Sequence, residues 1–100
     1  MYNFLVLLPK VYKIFVQLSR EIKRKMENFK NNIANNIKYY RKLLNLTQEQ
    51  LANFLNGKKS LVSNYENGYS TPDIYTLISL ADLFKISLDE LVGRNIDLLK

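Results

Sequence analysis

The chain has 100 residues with no cysteine and no histidine, so a disulfide framework, thiolate zinc ligation and imidazole acid–base chemistry are excluded. The length suits one small domain with an appendage, and a formal charge of +6 favours an anionic partner such as nucleic acid or an acidic membrane face. That charge is uneven: residues 1–31 hold seven cations against two acids, residues 32–100 eight against seven.

The opening stretch, "MYNFLVLLPKVYKIFVQL", lacks a basic n-region and a small-residue cleavage site, and Pro9, Lys10 and Lys13 interrupt it. It reads neither as a signal peptide nor as a membrane span, which needs about 20 mostly apolar residues. From Val11 the apolar positions Phe15, Leu18, Ile22, Met26 and Phe29 recur three or four apart, the pattern of an amphipathic helix whose other face carries most of the cations. Three readings of this basic extension, residues 1–31, stay open: a helix packed on the domain or on its twin, attachment of residues 4–29 to anionic lipid, and an over-extended start. The last arises because Met26 stands in frame just before the folded region, which would leave residues 1–25 outside the native protein.

Short helices with clear boundaries follow. Ile33, Ile37, Tyr40 and Leu44 form one apolar stripe and predict a first helix over 33–44. In "LTQEQL", Thr47 and Gln50 make a capping box and Leu46 with Leu51 a hydrophobic staple; Leu51, Phe54 and Leu55 then face inward until Asn56 and Gly57, which both tolerate positive φ, end a helix over 48–55. "SLVSNYENG" predicts a third helix, starting at 59 or 60 and ending at 67, anchored by Val62 and Tyr65 and closed by Gly68. In "STPD", Thr71 is the expected N-cap and Pro72 the first helical residue of a fourth helix with the stripe Ile74, Leu77, Ile78, Ala81 and Phe84. Ser87 with Glu90 repeats the capping box, Ile86 with Leu91 the staple, and Gly93 stops a fifth helix; residues 94–100 read as a tail. Acidic residues Glu49, Glu66, Asp73, Asp82, Asp89 and Glu90 lie mainly at helix starts, where the macrodipole accounts for them, so the chain reads as a non-enzyme with no cofactor and no metal site.

Helices this short are marginal alone and must share one core. The four-residue link "NGKK" fits two helices crossing steeply, with the polar second helix held outward.

At "IKYYRKLLNLTQEQLANFL", "SLVSNYENG" and "TPDIYTLISLADLFKISLDEL" the sequence resembles the Cro and phage-repressor family of helix-turn-helix proteins, also called the xenobiotic-response-element family. The resemblance spans about residues 33–92 and implies an all-α, five-helix, lambda-repressor-like domain, here 32–93, with the amphipathic helix in addition. It further implies that the third helix enters the DNA major groove, as part of a homodimer on an inverted repeat.

Carried over position by position, Lys59, Ser60, Leu61 and Asn64 match the base-contacting positions, with lysine suited to guanine, asparagine to adenine and Leu61 to a thymine methyl. Gln48, Lys58, Asn67 and Tyr69 match phosphate contacts; Leu51, Ala52, Leu55, Val62 and Tyr65 form the core of the motif. Glu66 reads as a structural partner of groups on the first two helices. Where the family commonly has an apolar residue and a Ser or Thr cap, this chain has Gly57 and Lys58, so the third helix lacks its usual N-cap: its first turn is frayed, or Ser60 caps a shorter helix. Two lysines at a helix start oppose the macrodipole by about 0.3–1 kcal/mol each. Nearby phosphate reverses that sign.

The expected function is a cytoplasmic, sequence-specific double-stranded DNA-binding regulator, a repressor that occludes a promoter. The rivals are an antitoxin or phage-control protein with a partner encoded nearby, and a protein-interaction module that kept the fold and lost DNA.

Overall fold

The apolar repeat of the N-terminal half does not stop where the charge pattern changes. In the computed structural model, which describes the backbone of residues 3–94 and the side chains of residues 9–94, one helix, α1, runs from Asn3 to Leu43. The separate extension helix and first helix expected from the sequence are therefore one rod about 60 Å long. The boundary at 31 and 32 rested on a shift in charge; no proline or glycine stands there, and Asn31 and Asn32, residue types that often cap helices, take helical geometry and leave the ladder unbroken. Pro9 lies inside the rod and interrupts nothing beyond one backbone hydrogen bond.

After α1 come α2 (Gln48–Phe54), α3 (Lys59–Glu66), α4 (Ile74–Phe84) and α5 (Leu88–Val92), so the described residues contain five helices and no strand. The C-terminal third of α1 packs on α3, α5 and α4, α2 lies against α3, and α4 against α5. Ile33, Ile37, Leu51, Ala52, Val62, Tyr65, Leu77, Leu80, Ala81, Phe84 and Leu91 make one core, with the Tyr40 ring stacked on Phe84 at 5.6 Å. The side-chain amide of Asn36 donates to the Leu91 and Glu90 carbonyls at 2.9 and 3.2 Å, tying α1 to the end of α5.

All five helices end the same way. A left-handed residue, at Asn45, Asn56, Gly68, Lys85 and Gly93 in turn, lets the next amide reach back five residues, as in Leu46 N–H to the Arg41 carbonyl at 3.0 Å and Tyr69 N–H to the Asn64 carbonyl at 2.9 Å. At the close of α2 only Asn56 has positive φ. Gly57 makes room for a neighbour: a Cβ there would stand 2.6 Å from Leu61 Cδ2, and that side chain would have to shift.

Three helix starts refine the expectations. Thr47 and Gln50 form the full reciprocal box. Ser87 accepts from the Glu90 N–H at 3.0 Å, with no reciprocal bond from the Glu90 side chain. The cap of α4 is Asp73, not Thr71, and Pro72 precedes the helix, because the Asp73 carboxylate accepts the Thr76 N–H at 2.8 Å. The α4 stripe also shifts: Leu80 is fully buried, whereas Ile74 and Ile78 are exposed, Ile78 lying about 100° round the helix from Leu77.

The Thr76 backbone N–H stabilises the ionised form of Asp73 and holds its carboxyl below the usual carboxylate range. A group depressed in the folded state contributes fully above its unfolded value, near pH 4, and loses that contribution as pH falls through the folded value. Asp73→Asn keeps a capping oxygen but not the titration. Its melting temperature is expected to fall less between about pH 4 and pH 2.5 than that of the wild type; parallel acid limbs would remove Asp73 from the account.

Candidate nucleic-acid interface

What holds α3 in place is a buried carboxylate. Glu66 Oε2 accepts from Arg41 Nε at 2.6 Å and Oε1 from Arg41 Nη2 at 3.0 Å, a bidentate pair whose side chains are 3% and 10% exposed. Arg41 Nη1 donates onward to the Leu46 carbonyl at 2.7 Å, and Gln48 Nε2 donates to Glu66 Oε1 at 3.1 Å. One carboxylate thus ties α3 to α1 and to the first residue of α2, and the arginine it holds ties α1 to the loop that follows. Glu66 has the structural role expected for it. Arg41 went unnoticed in the sequence, although it sits four residues after Ile37 on the face that meets the core, where a guanidinium needs an acidic partner.

Apolar contacts complete the seat. Leu51, Ala52 and Val62 are fully buried, Tyr65 nearly so, and Leu55 is half-buried against them. Burial, with Asp73 nearby as a smaller cause, pushes the Tyr65 phenol above its ordinary value, so the ring stays neutral across the physiological range.

The opposite side of α3 faces solvent. Lys59, Ser60 and Asn64 are exposed there, with Lys58 at the turn and Asn67 at the far end, where Asn67 Nδ2 donates to Ser63 Oγ at 3.3 Å. Tyr69 is 81% exposed just beyond. Leu61 departs from the expected open position: it is half-buried and its Cδ2 lies over Gly57, so the packing of the turn takes up part of the side chain. Gln48 is half-buried with its amide held by Glu66, which leaves its carbonyl side free.

The third helix begins at Lys59 with Lys58 in the N-cap position and no side-chain cap bond. Ser60 lies inside the first turn and does not cap a shorter helix. Helical geometry from Lys59 onward, with the Leu61 N–H on the Lys58 carbonyl at 2.9 Å, replaces the fraying expected for an uncapped start. The reason is tertiary: Val62 and Leu61 anchor that turn to the core. Among the described residues no group of three or more acidic side chains is placed to hold a metal ion, and no helix is long and apolar enough to cross a membrane.

A helix-turn-helix family model matches residues 37–91. Three curated relatives are similar over the same kind of stretch. The HTH-type transcriptional regulator ImmR of Bacillus subtilis is 34% identical over 64% of this chain and 50% of its own length. The HTH-type transcriptional regulator AnsR of the same organism is 43% identical over 54% and 47%. The cryptic phage CTXphi transcriptional repressor RstR of Vibrio cholerae is 39% identical over 54% and 48%. The chain spans about half the length of these relatives. No solved structure matches it significantly.

Proposed function

The chain belongs to the helix-turn-helix family of Cro and phage-repressor type, and from that premise we propose that it is a sequence-specific double-stranded DNA-binding regulator, a repressor acting as a homodimer on an inverted repeat in the cytoplasm. The observation that carries this reading is a polar helix face, Lys59, Ser60 and Asn64, held outward by the buried Arg41–Glu66–Gln48 clamp. In this reading residues 32–93 form the DNA-binding unit. Asn64 pairs with the N6 and N7 edge of an adenine, Lys59 donates to guanine, Ser60 and the exposed part of Leu61 meet neighbouring bases, and Gln48, Lys58, Asn67 and Tyr69 hold phosphates. Binding represses by covering a promoter, without catalysis or cofactor. The name of the Vibrio cholerae relative, a phage repressor, favours phage control as the setting.

The test is selection of bound sequences from random duplex DNA, with Asn64→Ala in parallel. The wild type is expected to enrich a palindrome, and the variant to bind it about 1–3 kcal/mol more weakly with one position of each half-site relaxed. Absence of any enriched motif, with the wild type folded, turns the reading to a protein-interaction module.

A further inference from the structure

Half of the apolar stripe on α1 has nothing to pack against. Its positions repeat at three, four and four residues: Phe15, Leu18, Ile22; then Met26, Phe29, Ile33; then Ile37, Tyr40 and Leu44. An 11-residue period is 3.67 residues per turn, so the stripe stays on one side of the rod. Ile33, Ile37 and Tyr40 use that side to build the domain core. Further out the same side is bare, with Phe15 63%, Leu18 46%, Ile22 60% and Met26 55% exposed. So many large apolar side chains in one row exceed the scattered exposure normal for a monomer.

We infer that the stripe Phe15–Phe29 pairs antiparallel with the same stripe of a second copy, on a twofold axis at Ile22. The spacing is the argument. Counting outward from Ile22, the apolar positions fall four and seven residues away in both directions, Met26 and Phe29 one way, Leu18 and Phe15 the other. Reversed end to end, the stripe matches itself, as an isologous contact requires: Ile22 meets its twin, Leu18 meets the partner's Met26, and Phe15 meets the partner's Phe29.

The charges agree. Lys10, Lys13, Arg20 and Arg24 fall on the opposite side of the helix and stay in water. Glu21 and Lys25 share one flank of the stripe, so the antiparallel pair brings Glu21 beside the partner's Lys25. Phe15, Leu18, Ile22 and Met26 can each lose roughly 100 Å² and the half-buried Phe29 less, so the pair buries at most about 1,000 Å² in total, which suits a modest dimer with a Kd in the micromolar range. A lipid surface is the competing occupant. Exposed Val11, Tyr12 and Ile14 widen the apolar face at its N-terminal end, as an interfacial helix would have it; from Leu18 to Phe29 the apolar positions narrow to a seam flanked by polar residues, the form a helix partner uses.

This inference deepens the homodimer part of the proposed function by naming its surface, and its test contains no DNA, so the two can fail separately. Sedimentation equilibrium of the full chain up to about 100 µM is expected to give a dimer for the wild type and for the back-face variant Arg24→Gln. Ile22→Glu is expected to raise Kd at least tenfold, while the melting transition measured at dilutions where both proteins are monomeric stays unchanged, since Ile22 lies outside the core. Because the chain has no cysteine of its own, Ile22→Cys should form an interchain disulfide on oxidation, and Phe15→Cys, opposite a phenylalanine, should not. A monomeric wild type, or a dimer that survives Ile22→Glu, overturns the inference. Binding of that monomer to phosphatidylserine vesicles would assign the stripe to lipid instead.

Discussion

Glu66→Ala is expected to destabilise the domain by about 3–5 kcal/mol, because it strands the Arg41 guanidinium in a site where that side chain is 10% exposed. Arg41 would keep its bond to the Leu46 carbonyl, but no anion would balance the charge. Gln48 would lose its acceptor as well. A domain of about 60 residues has only some 3–9 kcal/mol of total stability, so this loss takes a third of it or more. Urea unfolding at pH 7 measures this directly. The double variant Arg41→Met, Glu66→Leu separates the penalty of a stranded charge from the value of the pair, and it is expected to recover most of the loss, since apolar replacement of a whole buried pair is often neutral or better. If Glu66→Ala costs under about 1 kcal/mol, the pair behaves as a surface bridge and does not hold α3.

The clamp also bears on specificity. Asn64 and Lys59 can sample a base edge reproducibly only if the backbone of α3 is fixed relative to α2, where Gln48 lies. Glu66 is two residues from Asn64 and bonded to Gln48, so the groups proposed to meet bases and the one proposed to meet phosphate share one rigid frame. The double variant, if stable, is therefore expected to bind DNA with less discrimination between bases than the wild type.

What could be read from the sequence was whatever has a local chemical signature. The Thr47–Gln50 box, the Ser87 cap, and the glycines at 68 and 93 are signals complete within four or five residues, and each stands where expected. Ends without such chemistry were read less well. Lys85 takes a left-handed conformation that no lysine advertises; the end of α1 fell within one residue of the expected 44, although the left-handed Asn45 that makes it went unread. Thr71–Pro72 offered a plausible start for α4 that the Asp73 carboxylate, one residue later, takes over by its bond to Thr76. Facing was harder than existence: Ile74 and Ile78 fit an amphipathic pattern as well as Leu80 does, and only the packing of α4 on α5 and α1 decides which side is covered. The Arg41–Glu66 pair joins residues 25 apart, so one half of it was legible as a structural acid and the other was not. On the candidate DNA face, exposure follows from the positions of Val62 and Tyr65, whereas the partial withdrawal of Leu61 depends on Gly57 admitting it.

Salt dependence should report which cations meet DNA. The net charge of +6 is a poor guide, since most of it belongs to residues 1–31, which precede the first core residue, Ile33. If only Lys58 and Lys59 neutralise phosphates or base edges, a dimer engages about four cations and log K falls with log salt at a slope of about −3.6. Affinity for the operator is then expected to drop roughly 150-fold between 50 and 200 mM salt. If the seven cations of residues 1–31 also engaged the duplex, the slope would be steeper than about −10. Pairing of α1 along Phe15–Phe29 favours the shallow value, because it leaves the extension cations in water rather than on the DNA-facing side of α3. Lys58→Ala removes two cations from the dimer, and the drop over the same range should shrink to about 12-fold, with weaker binding but an unchanged preferred sequence. Titrations by fluorescence anisotropy at four or more salt concentrations give both slopes. A slope that Lys58→Ala leaves unaltered would place Lys58 away from the phosphates, and a slope near zero would remove DNA as the partner of this face altogether.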